Sequence, residues 1–151
     1  MNPMKAAMYN SLWHRTMPYI GLPGMCVPSF AASFANVYYA VALWSLPIAA
    51  NRLKDGYECL ELRRFAIAPD APKNTASFML SRMRKAIKGD MPEIKRLISY
   101  QDTGAHQGTI YKAAGWLATC KSEYVSWEHH SKRPGSMEQS TADKVRWECA
   151  I

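Results

Sequence analysis

No acidic residue occurs in the first fifty positions, where only Lys5 and Arg15 carry charge. No apolar run is long enough to span a bilayer: the best, Ala35 to Ala50, is short and broken by Ser45 and Pro47. The start lacks a signal-peptide pattern, because Lys5 is followed by Asn10, His14 and Arg15 rather than a continuous apolar core. The four cysteines, Cys26, Cys59, Cys120 and Cys149, form no C-x-x-C pair and have no histidine at zinc-finger spacing. Reduced thiols in a soluble cytoplasmic protein with no membrane association are therefore expected. His129 and His130 are adjacent, which is not helical ligand spacing, so no protein metal site is expected there. Dinucleotide, P-loop and nucleophile-elbow glycine motifs are all absent. So are internal repeats and low-complexity tracts.

What is present points to one folded domain over 1–151, since 48% hydrophobic residues in 151 can build a substantial core. Nineteen Lys and Arg face twelve Asp and Glu, a net charge of +7, which favours approach to polyanions. Positive charge clusters at Arg63-Arg64, Arg82 to Lys88, Lys95-Arg96, Lys132-Arg133 and Lys144 with Arg146. Residues 129–143 read as a basic loop within the domain.

Periodicity supplies the elements. Residues 4–15 fit a short helix with Met4, Met8 and Leu12 on one side. Met17 to Ser29 holds Pro18, Gly21, Pro23, Gly24 and Pro28 and reads as loop, followed by a short apolar link. Asn36 to Ser45 is a strand rich in β-branched and aromatic residues. Asn51 to Gly56 is a polar connection. Tyr57 to Ala68 is a second strand, antiparallel to the first, ended by Pro69-Asp70-Ala71-Pro72. Asn74 or Thr75 caps a helix running to about Lys88, terminated by Gly89. Its apolar stripe is Met79, Leu80, Met83, Ala86 and Ile87. Arg96 to Tyr100 is a short strand, parallel to the second through a crossover. Gly108 to Ala114 is a short helix closed by Gly115. Trp116 to Thr119 and Tyr124 to Trp127 are closing strands, and Lys144 to Glu148 a last edge strand. The expected fold is α/β, with a mixed, mostly antiparallel central sheet, a β-loop-α-β-α core and flanking helices.

In such a unit ligands bind at the carboxyl ends of the parallel strands. Polar residues gather there: Asp70 after one strand, and Ser99, Tyr100, Gln101 and Asp102 after the other. Asn74 opens the long helix, whose N-terminal amides suit an anion. His106 and Tyr111 follow. Each also has a plain structural reading: Asp70 and Asp102 as turn residues, Tyr111 as core with a wetted hydroxyl, His106 as surface loop, the helix basics as a solvated face.

The segment Arg96 to Trp116, RLISYQDTGAHQGTIYKAAGW, resembles the core of the Mom-like phage proteins, a branch of the GNAT acyltransferase fold. ELRRFAIAPDAPKNTASFML from Glu61 to Leu80 resembles the preceding strand and helix of the same family. ALWSLPIAANR (Ala42 to Arg52) and EQSTADKVRWE (Glu138 to Glu148) extend the resemblance over roughly residues 36–148. LWHRTMP, Leu12 to Pro18, is similar to a family segment with a His followed by an aromatic and a basic residue, though the aromatic is missing here.

The resemblance implies a transferase that adds a carbamoylmethyl-type or an acyl-type group to the exocyclic N6 amine of adenine in phage DNA, protecting it from host restriction. It implies catalytic roles for Arg64, Asp102 and Tyr111, with Ser99, Tyr100 and His106 in the same block. It also implies a small-molecule group donor of acyl-CoA type, double-stranded DNA as partner, and the cytoplasm of an infected or lysogenic bacterium. A metal such as iron, and a homodimer, are left open. Donor contacts are expected from Ala68, Asp70, Lys73, Asn74 and Thr75. DNA contacts are expected from His14, Arg82, Arg84, Lys85, Lys88, Lys132 and Arg133.

Ordinary GNAT enzymes usually carry a glycine-rich loop after this strand that grips the pyrophosphate of acetyl-CoA. Here Asp70-Ala-Pro-Lys-Asn-Thr-Ala-Ser77 stands in its place, and Pro72 lacks an amide donor. Two other readings stay open: a conventional N-acetyltransferase acting on a small amine or protein, and a non-catalytic DNA-binding protein.

Overall fold

A computed structural model describes residues 1–48, 57–123 and 142–151. The expected strand at Tyr124 to Trp127, the connection at Asn51 to Gly56, Lys132-Arg133 and most of the basic loop fall outside them.

Six strands form one sheet in the order β1-β2-β3-β4-β6-β5. They are β1 (Ser29–Phe34), β2 (Val37–Ser45), β3 (Cys59–Ile67), β4 (Arg96–Asp102), β5 (Leu117–Ser122) and β6 (Lys144–Ala150). Only β3 and β4 pair in parallel; every other neighbour is antiparallel. Three helices accompany them: α1 (Pro3–Trp13), α2 (Thr75–Asp90) and α3 (Thr109–Ala113). The α/β mixed sheet and its β-loop-α-β-α core are those expected from the sequence.

Several local expectations need correction. The apolar link after the first loop is itself a strand, β1. Ala35 and Asn36 join it to β2 with φ of 48° and 62°, the left-handed pair a two-residue hairpin turn requires. The closing segment β6 is not an edge: it lies between β4 and β5, and β5 forms the edge. Residue 89 does not stop α2, which runs one residue further. On α1 the face is reversed. Met4, Met8 and Leu12 are exposed, while Ala6 and Asn10 are buried. The small Ala6 lets the helix approach the sheet closely, with Tyr9 and Trp13 packing around the contact.

Two apolar layers cover the sheet. Met79, Leu80, Met83 and Ile87 of α2 pack with Trp44, Leu60, Leu62, Leu97, Tyr111 and Trp147. On the other face Ala6 of α1 packs with Val41, Leu43 and Ala66. Val41 and Leu43 alternate with Ala40, Ala42 and Trp44 along β2, so α1 and α2 lie on opposite faces. Full burial of a residue such as Leu80 contributes about 1.5–3 kcal/mol. Among the described residues, no helix is long and apolar enough to cross a membrane.

Candidate active site

The site begins where the two parallel strands part. Pairing runs from Cys59↔Arg96 to Leu62↔Ser99 and then stops. Beyond that point β3 pairs only with β2, and β4 only with β6. A register shift against Leu43 and Trp44 leaves Arg63 without a partner residue on β2, which bends β3 there. The result is an opening between the carboxyl ends of β3 and β4.

Arg64 stands on the α1 face of this opening. Its Nε and Nη2 donate to the Tyr19 carbonyl at 3.3 and 2.9 Å, and Nη1 donates to the Arg63 carbonyl at 2.7 Å. No carboxylate forms a salt bridge with it among the described residues. Burial, then the neighbouring Arg63, pulls its pKa below the usual arginine value. His14 follows the end of α1, and its Nδ1 accepts from the Met17 amide at 3.1 Å. That bond leaves Nε2 to carry the proton of the neutral ring. Burial lowers the His14 pKa, and the charges of Arg64 and His106 lower it further. Burial also lowers His106, whose pKa the Asp102 charge raises in opposition.

Asp102 accepts from the Gly104 amide through Oδ1 at 2.9 Å, closing the turn after β4. The plain turn-former reading is thus correct for one oxygen; Oδ2 has no hydrogen-bond partner among the described residues. Tyr100, 39% exposed, alternates with buried Ser99 and Gln101 and so shares the Asp102 face.

Ser99 and Tyr111 occupy the other face. Their hydroxyls are 2.8 Å apart in a buried bond. The Tyr111 ring stacks on Trp147 at 5.3 Å between centroids and tilts against Trp116 at 5.7 Å. Burial pushes the Tyr111 phenol up from its ordinary value, and the Ser99 bond opposes this. The His106 ring lies 6.2 Å from the Tyr111 ring and links the two faces.

Gln101 is a residue whose role the sequence reading did not assign. It is buried, accepts from Trp147 Nε1 at 2.7 Å and donates to the His106 carbonyl at 2.5 Å. Gly108 makes this possible: at φ of +72°, any Cβ there would meet Gln101 Oε1 and Trp147 Cζ2. Its place two residues after His106, before an amphipathic turn, was the available signal.

Next to the opening is a cleft of about 250 Å³, lined by Ile67, Pro72, Asn74 to Ser77, and Thr109, Ile110 and Ala113 of α3. Asn74 and Thr75 line it. Ala68 is buried in the sheet, where its amide donates to the Tyr39 carbonyl, and Asp70 and Lys73 are exposed beside the cleft rather than in its wall. Asn74 does not cap α2 with its side chain; it adopts φ of 66° instead. An asparagine thus supplies the left-handed turn a glycine would ordinarily provide. The Ala76 and Ser77 amides at the start of α2 have no described partner, which suits an anion at the cleft wall. Pro72, Ile110 and Ala113 give the same cleft an apolar side. A phosphorylated acyl carrier with an apolar arm fits these residues.

Arg82, Lys85 and Lys88 are exposed on α2, and Arg84 is half-buried. From Thr75 to Lys88 the helix rises by roughly 20 Å. Lys88 therefore lies far from the cleft, on the sheet face opposite His14 and Arg64. Among the described residues, no group of three or more His, Cys, Asp or Glu could hold a metal ion.

The profile of the Mom protein family matches residues 46–149. No curated protein matches. Solved structures do. A Bacillus subtilis acetyltransferase in complex with CoA aligns with TM-score 0.59 at 11% identity, covering 82% of this chain and 76% of the other. An IAA acetyltransferase from Bacillus cereus aligns with TM-score 0.63 at 13% identity, covering 99% and 92%. A GNAT-family acetyltransferase from Streptococcus pneumoniae aligns with TM-score 0.63 at 12% identity, covering 100% and 96%. At these identities the likeness establishes a shared GNAT-like fold.

Proposed function

The chain belongs to the Mom protein family, and on that premise we propose that it is a transferase which places a carbamoylmethyl-type or an acyl-type group on the N6 amine of adenine in DNA. The observation that carries the reading is the opening between β3 and β4. Arg64, Asp102 and His14 stand on its α1 side, and the buried Ser99–Tyr111 pair, with the His106 ring beside it, lies on the α2 side, which supports the reading.

The donor enters from the cleft side. The Ala76 and Ser77 amides, with Lys73 nearby, hold its anionic portion, and Ile110 and Ala113 flank its arm. When bound, the donor supplies an electrophilic carbon. The adenine, taken out of the stack, enters from the α1 face. Its amine is a poor nucleophile, so positioning and charge stabilisation carry the rate. Asp102 Oδ2 accepts a proton or hydrogen bond from the amine. The Tyr111 phenol, kept protonated by burial, donates to the leaving group or developing oxyanion. Arg64, with no competing carboxylate bonded to it, holds a carbonyl, carboxylate or phosphate. Arg82, Arg84, Lys85 and Lys88 lie on α2, on the sheet face opposite that entry, so the DNA contacts expected of them are not part of this reading.

Mass spectrometry of nucleosides from DNA of cells expressing the protein tests the reading. A new adenine adduct, absent with Tyr111→Phe, is the expected result, and its mass identifies the group. Unmodified adenine with well-folded protein overturns it. Saturable acetyl-CoA binding would then favour a small-amine or protein acetyltransferase, and salt-sensitive duplex binding alone a non-catalytic binder.

A further inference from the structure

We propose that Asn10, a residue of α1 that touches no candidate substrate surface, is the positioning residue for Arg64 and His14, acting through the segment Met17 to Tyr19. The inference rests on the site reading above.

Asn10 is fully buried at the centre of the helix face that meets the sheet. Its Nδ2 donates to the carbonyls of Met17 and Pro18 at 3.1 and 2.9 Å. The Asn10 backbone carbonyl separately accepts from the His14 amide at 2.9 Å, closing the last turn of α1 as any residue there would. The segment so held does two things at once. The Met17 amide donates to His14 Nδ1, and the Tyr19 carbonyl receives both Nε and Nη2 of Arg64. One side-chain amide therefore braces the segment that anchors both the Arg64 guanidinium and the His14 ring.

Energetics favour positioning over stability as its role. The two bonds donated by Nδ2 stabilise the fold, but Asn10 Oδ1 is buried with no partner among the described residues, a penalty of comparable size. Stability alone gives little reason for an asparagine at this point in an apolar layer, whereas the geometry it imposes does.

The experiment compares full-length wild type, Asn10→Ala and the milder Asn10→Ser, which keeps one donor and carries every measurement if the alanine variant does not fold. Imidazole NMR titration follows His14, and adduct formation gives kcat and KM for DNA. With the segment released, His14 should titrate closer to its ordinary value. In parallel kcat should fall by about 10- to 100-fold while KM for DNA changes little. Asn10→Ser should recover part of the loss. Combined with Arg64→Lys, the effects should be strongly non-additive, since both act on one contact. An unmoved His14 titration in folded variants, or additive effects, overturns the proposal. If wild type makes no adduct, the functional reading falls, and the His14 titration still decides the role of Asn10.

Discussion

Replacing Tyr111 with Phe removes one oxygen and leaves the ring. The stack on Trp147 and the tilted contact with Trp116 survive, so the packing that holds α3 to the sheet is retained. What is lost is the 2.8 Å bond to Ser99, leaving a buried hydroxyl unpaired. That costs about 1–3 kcal/mol. For a chain of this size each kcal/mol lowers the melting temperature by roughly 2–4 °C. Against a total stability of about 5–15 kcal/mol the variant stays folded. Loss of a donor to developing charge should slow adduct formation by about 10²–10³-fold. Ser99→Ala is the control: it breaks the same bond and keeps the phenol, so its rate should fall by no more than about tenfold. Nucleoside mass spectrometry with thermal melts reads both. Adduct formation by Tyr111→Phe above about a tenth of wild type would refute the role of the phenol. Equal losses in both variants would show that the pair's architecture matters rather than the proton it donates.

Arg64→Lys keeps the charge but cannot reproduce three donated bonds in a planar fork. Adduct formation should fall about 100-fold with thermal stability within a few degrees, and near-wild-type rates would remove Arg64 from the site. His14 and His106 both have folded pKa values below the ordinary 6.5. Their contribution to stability is thus present above about pH 6.5 and is lost as the pH falls through the folded values, because the unfolded chain takes up protons first. Urea unfolding between pH 7.5 and 5 should show this loss, and it should shrink in His14→Gln. Gly108→Ala forces a side chain into Gln101 and Trp147 at a left-handed φ. It should destabilise by about 2–4 kcal/mol and displace His106, measured by denaturant unfolding.

Much of the frame was legible because it depends on local signals. Alternation marked β2 and β3, the 3.6-residue stripe marked α2, and Gly115 closed α3. The parallel β3–β4 pair followed from strand, helix and strand in succession. What was not legible depended on partners distant in sequence. On α1, Met4, Met8 and Leu12 are as apolar as any core stripe, yet Ala6 and Asn10 face the sheet because a small residue permits close approach. The strand β1 was hidden in a stretch of Ala, Ser and Phe whose hairpin turn, Ala35-Asn36, lacks glycine. The place of β6 between β4 and β5 is a pairing choice that its own residues do not encode.

The same division runs through the site. Ser99, Asp102 and Tyr111 fall in one contiguous block, so a resemblance over that block could pick them out. Arg64 and His14 were picked out the same way from two other segments, but their shared anchorage on Met17 to Tyr19 follows only from the packing of α1 on the face opposite α2. This arrangement has a consequence for how the chemistry is shared. The cleft on the α2 side rests on a helix start, a feature that tolerates replacement of a glycine loop because Asn74 reproduces the left-handed turn. The face presented by α1 and its following loop has no such substitute: without Met17 to Tyr19 in place, Arg64 loses its carbonyl anchor and His14 its amide donor. On the proposed reading the α2 side, which takes the donor, is therefore the more permissive half of the site, and sequence changes should be felt most on the α1 side.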